Sequence, residues 1–150
     1  MGGPPPPPPK IPTVITLTVD TENIEPNKQS IIDNVVFSDN QGDPGETKGR
    51  PDLYVSTVDM GSTCTWQGVA KNGRDTINIT DVAKKAVGGG ADILAEITLG
   101  DPINDPKVIS SVKNSDITGT ESYNVSFIIN KNDSQVYTVD PKLRMKGRTR

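Results

Sequence analysis

The sequence predicts an all-β protein, an antiparallel β-sandwich of immunoglobulin-like or jelly-roll-like outline with about eight strands and one short helix. Three observations carry this expectation. Apolar side chains recur at every second position over short stretches, the pattern of a strand with one buried face. Those stretches are separated by Gly, Pro, Asn and Asp, whose backbone preferences suit turns. The apolar supply is also thin: 32% of the 150 residues are hydrophobic and 4% aromatic, which suits the core between two sheets better than a multilayered fold.

The chain divides into a proline-rich arm at residues 1–12, a β-sandwich domain at 13–145 and a basic tail at 146–150. Pro4, Pro5, Pro6, Pro7, Pro8 and Pro9 lack amide N–H groups and have a fixed φ. They favour a polyproline II rod rising about 3.1 Å per residue, roughly 19 Å in all. Such a rod serves either as a strap or groove ligand on a neighbouring subunit, or as a plain spacer.

From Thr13 the period becomes two, placing Ile15, Leu17 and Val19 on one buried face. Asp20 to Gln29 interrupts the pattern, and Ile31 to Phe37 reads as a second strand. A long polar loop follows, from Ser38 to Asp52. Leu53–Val58 and Thr63–Val69 resume the strand pattern, with Cys64, Trp66 and Gly68 on one face and Trp66 inward. Asp75–Thr80 pairs Ile77 with Ile79. Thr80 is then a candidate cap for a helix over Asp81–Val87, with an acid in the first turn, Lys84 and Lys85 near the end and Gly88 as the stop.

After the Gly88-Gly89-Gly90 joint, Ile93, Ala95, Ile97 and Leu99 alternate with Asp92, Leu94, Glu96 and Thr98. Asp101-Pro102 and Asp105-Pro106 bracket a turn before the strand Val108–Val112. Tyr123, Val125, Phe127 and Ile129 form one face of the clearest strand, and residues 130–134 join it as a hairpin to Val136–Val139. Asp140-Pro141 marks an edge or bulge before Leu143 and Met145 extend the segment.

The composition excludes several function classes. Histidine is absent, and it is the side chain best suited to acid–base work near neutrality. The expectation is therefore no enzyme, no catalytic residues and no cofactor-binding set. The single cysteine, Cys64, rules out an internal disulfide framework and reads as a packing residue beside Trp66. Asp101 and Asp105 read as initiators of Asp-Pro turns.

The net charge of −3 argues against nucleic acid as a partner. The charge is uneven, because Lys146, Arg148 and Arg150 place +3 in the tail and leave −6 on residues 1–145. No run approaches the roughly 18–20 apolar residues of a membrane span. The N-terminus lacks the apolar core of a secretion signal, which makes the cytoplasm the expected location.

One loop carries candidate metal ligands. Asp39, Asn40, Asp43, Glu46 and Asp52 offer the oxygen-rich, turn-held set that calcium prefers. Their spacing differs from an EF-hand, and a solvated turn-rich loop explains the same residues. Calcium is the one candidate cofactor.

Four landmarks occur in order: Val36-Phe37-Ser38-Asp39-Asn40-Gln41-Gly42, then Thr65-Trp66, then Tyr123-Asn124-Val125-Ser126-Phe127, then Tyr137-Thr138-Val139-Asp140-Pro141-Lys142-Leu143. Their succession resembles that in bacterial inclusion-body proteins of the PixA/AidA type. The resemblance spans most of residues 13–145, and it departs at the proline arm and the triple glycine. It implies a small β-sandwich that accumulates in intracellular assemblies, and it brings no catalytic residues.

The function expected from the sequence is therefore structural. The chain is expected to assemble with itself into an ordered homo-oligomer, filament or inclusion, using strand edges and the two arms (Pro4–Pro9; Lys146, Arg148, Arg150). The alternative is a β-sandwich module that binds carbohydrate, calcium or another protein.

Overall fold

A computed structural model describes residues 10–41, 50–85, 90–100 and 107–146. Ten strands and one helix follow in the order β1 (Thr13–Val19), α1 (Lys28–Asn34), β2 (Val35–Asp39), β3 (Val55–Val58), β4 (Thr63–Ala70), β5 (Ile77–Lys84), β6 (Leu94–Leu99), β7 (Val108–Val112), β8 (Thr120–Ile129), β9 (Tyr137–Val139) and β10 (Lys142–Met145). One sheet runs β2-β1-β4-β7-β6 and the other β3-β10-β8-β5, with β9 also paired to β8.

The architecture is the expected all-β, sandwich-like one, but the sheets are mixed and the described residues form ten strands. β1 pairs with β4 in parallel, from Thr13↔Cys64 to Val19↔Ala70, and β3 pairs with β10 in parallel. The extra strands arise where one apolar run divides. β9 and β10 pair with successive parts of β8 and are separated by Asp140-Pro141, where a ladder donor is missing.

The helix lies elsewhere than expected. Residues 81–84 continue β5, pairing with β8 from Asp81↔Ser126 to Lys84↔Tyr123 after a register shift at Ile79/Asp81. A two-turn helix is marginal alone, whereas the ten-residue β8 satisfies this segment's backbone groups along its length. Residues 86–89 lie outside the described set.

The helix forms instead in the first half of the expected Ile31–Phe37 strand. The Asn27 side chain accepts from Ser30 N at 2.8 Å, capping α1, and Asn34 Nδ2 donates back to Ser30 O at 2.8 Å. The face expected for the segment from Ile93 is also corrected. Ile93 and Leu94 are both buried while Ala95 and Leu99 are exposed, because the β6–β7 register shifts between Leu94 and Ile97.

The core lies between the sheets. Ile15, Leu17 and Val19 enter it from β1, Trp66 from β4, and Tyr123, Val125 and Phe127 from β8. Phe37 stacks on Tyr54 at 5.1 Å, and Phe127 on Tyr137 at 5.2 Å. All three tyrosines are buried, so they build the core. Gly68 permits β4 to approach β5: a Cβ there would meet Ile77 Cγ2 at 2.4 Å. The β8–β9 hairpin forms as expected, turning through Asn130 and Lys131 at φ of 51° and 61°, with Asn132 N donating to Ile129 O at 3.0 Å.

Candidate functional site

Of the five candidate calcium ligands, the described residues include Asp39, Asn40 and Asp52; Asp43 and Glu46 lie outside them. Asp39 ends β2 and reaches the other sheet. Its carboxylate accepts from the Tyr54 hydroxyl, from Ser56 Oγ at 2.8 Å and from Gln41 N at 2.7 Å. Asn40 holds backbone: it accepts from Val14 N and donates to Pro12 O, both at 2.9 Å. Asp52 pairs with Arg50 at 3.1 Å. No group of three or more aspartate, glutamate or cysteine side chains that could hold a metal ion occurs among the described residues.

Asp52 also borders a shallow groove of about 180 Å³ between α1 and β9, with Lys28, Ile31, Thr138 and Asp140 among its walls. Asp140 is paired there with Lys85 at 3.2 Å. The groove mixes one aliphatic wall with opposite charges.

The remaining titratable groups in or near the core are tied down. Cys64 is fully buried, and burial, helped by the Asp39 carboxylate, pushes its thiol far above the range of a reactive cysteine. Burial likewise pushes the Tyr123 phenol up. Glu121, also buried, accepts from Ile93 N at 2.6 Å and Leu94 N at 2.9 Å, with Lys84 Nζ 3.8 Å away. Asp92 sits between Lys113 and Lys84, whose hydrogen bonds hold its carboxyl at about 2. Glu121 and Asp92 thus fasten the start of β6 to β5, β7 and β8.

Of the residues assigned to assembly, Pro4 to Pro9, Arg148 and Arg150 lie outside the described set, while Lys146 lies within it. The positions next to both arms converge. Ile11 N donates to Asp59 Oδ2 at 2.8 Å, and Lys10 Nζ donates to Asn114 Oδ1 at 3.3 Å. Lys146 N donates to Val58 O at 2.8 Å. The arm and the tail therefore both join the domain beside the β3–β4 turn, at one pole of the sandwich. Sequence reasoning did not find this, because nothing local to either end reports where the other lies.

No helix among the described residues is long and apolar enough to cross a membrane. No family model and no curated protein matches the chain. Among solved structures, the McoA multicopper oxidase of Aquifex aeolicus overlaps at a TM-score of 0.31 and 12% identity, over 87% of this chain and 29% of that one, a likeness that carries no argument. An inclusion body protein, PixA, from Burkholderia cenocepacia J2315 matches at a TM-score of 0.61 and 15% identity, over 90% of this chain and 95% of that one, so the fold of this chain is similar to that of a PixA inclusion body protein over most of its length.

Proposed function

We propose that this protein is a non-enzymatic structural protein that assembles with itself into an ordered homo-oligomer, filament or inclusion, through strand edges and its terminal arms. The observation that carries the reading is the fold likeness to an inclusion body protein over 90% of the chain. The architecture supplies means for it. β2 and β6 end one sheet and β3 and β5 end the other in the pairing order, and strand ends of this kind are templates for further pairing. The arm and the tail leave from one pole, so a neighbour docked there meets both.

The non-enzymatic part is supported by the buried thiol and by carboxylates held in hydrogen bonds that stabilise strands and turns. Intracellular deposits are the expected location.

Sedimentation velocity of the full chain over a wide concentration range tests the proposal. Reversible growth beyond the monomer is expected. A persistent monomer at the highest attainable concentration overturns it.

A further inference from the structure

We propose that the outer face of the β2-β1-β4-β7-β6 sheet is a self-docking surface that stacks on the same face of a second copy of this chain. This rests on the self-association proposed above and adds a surface distinct from the strand edges and the arms.

The starting observation is charge. About a quarter of the chain is charged, yet β1, β4 and β7, the three central strands of this sheet, contain no charged residue. The two outer strands contribute Asp39, which turns inward to Tyr54 and Ser56, and Glu96 on the end strand β6. The outward side chains form continuous rows. Thr18 is paired to Val36 on one side and to Val69 on the other. Thr65 is paired to Val14 and to Ile109. Val36, Val69 and Ile109 are each close to half exposed, at 46%, 45% and 46%. Three of the seven exposed large hydrophobic residues among the described ones thus share one face.

The occupant follows from symmetry and area. In a two-fold contact the same patch meets itself, so a charged face would repel its own copy, whereas a neutral one meets no such conflict. The body carries −6 over residues 1–145, which makes this face the place where two copies approach at least electrostatic cost. Five strands about 4.8 Å apart and about six residues long span roughly 24 by 20 Å, on the order of 480 Å² per copy. The pair buries about 1,000 Å², at the lower limit of a specific interface. The contact is therefore weak alone and becomes effective at high local concentration or together with the arms.

The test places charge on the face. Val69→Lys and Ile109→Lys alter outward side chains, and circular dichroism with Trp66 fluorescence verifies the fold of each. In sedimentation velocity, each is expected to raise the concentration of half-association by about tenfold or more, because like charges then oppose across the interface. Val136→Lys, an exposed position outside this sheet (49%), is expected to leave association unchanged. Mixing Val69→Lys with Val69→Asp protein is expected to restore it.

If the folded face variants associate like the original chain, this surface is not used and the proposal falls, while self-association through arms and edges stands. If the face variants lose association with another protein but the original chain never self-associates, the occupant is wrong. A chain that is monomeric throughout overturns both readings.

Discussion

Trp66 Nε1 donates to the Tyr123 hydroxyl at 3.0 Å across the sandwich core, with the two rings edge to face at 5.5 Å and 67°. The pair joins β4 of one sheet to β8 of the other, and both side chains are buried. A buried indole N–H without a partner is costly, so this bond specifies how the sheets align as well as filling space between them.

Removing the acceptor alone tests that role. Tyr123→Phe keeps the ring and leaves the indole N–H unpaired, at an expected cost of about 1–3 kcal/mol. Trp66→Ala also opens a cavity, at about 3–5 kcal/mol. Urea unfolding followed by circular dichroism measures both. Equal stability of Tyr123→Phe and the original chain would show that the bond adds nothing.

Gly68 is expected to tolerate no side chain. Its missing Cβ leaves the space that Ile77 Cγ2 and Cβ occupy, at 2.4 and 2.8 Å from where a methyl would sit. Gly68→Ala should destabilise by about 1–3 kcal/mol, and Ile77→Ala in the same chain should recover part of the loss. A double variant no better than the sum of the single changes would contradict direct contact between these positions.

Acid sensitivity should concentrate in two carboxylates. Hydrogen bonds from Thr21, Asn130 and Asn72 hold Asp75 at about 2, and Lys113 and Lys84 hold Asp92 at about 2. In both cases the folded value lies below the ordinary 3.8. The stability each contributes is therefore present above pH 3.8 and is lost as pH falls toward 2. Urea midpoints measured between pH 5 and pH 2 should decline across that window, and Asp75→Asn should flatten the decline. An unchanged slope in Asp75→Asn would remove this residue from the account.

Cys64 is expected to be inert. Its burial and raised thiol predict negligible labelling by a thiol reagent in the folded protein and full labelling in denaturant. Cys64→Ala should preserve assembly, and so should reducing agent. Loss of assembly under reducing conditions would reveal an intermolecular disulfide instead.

The arms should act at one place. Because Ile11 and Lys146 are both held beside the β3–β4 turn, deletion of residues 1–9 and of residues 147–150 should weaken assembly non-additively, as changes to one shared contact do. The tail deletion should chiefly remove salt sensitivity, since screening shortens the Debye length to about 3 Å at 1 M salt. If both truncated chains sediment like the full chain at low and high salt, the arms are passive.

Much of this fold is legible locally. Alternation by itself places Ile15, Leu17 and Val19 inward, buries Trp66 and Cys64, and sets the β8–β9 hairpin, because a strand's side chains change face at every residue whatever its partner. Composition alone likewise removes histidine chemistry and internal disulfides from these 150 residues. Ile31-Ile32, however, fits a helix as well as a strand, and only the Asn27 cap and the packing of α1 beside β9 make it helical. Thr80 to Lys84 carries local helix signals, yet β8 pairs with every residue from Asp81 to Lys84.

Tertiary structure alone decided which strands are parallel, that both arms leave one pole, that Asp39 serves the inter-sheet contact, and that the uncharged strands β1, β4 and β7 lie side by side. Each of these depends on pairing between distant segments. A strand's residue pattern records which of its faces is buried, while its partner is chosen by the hydrogen bonds and close packing that the whole chain can satisfy at once.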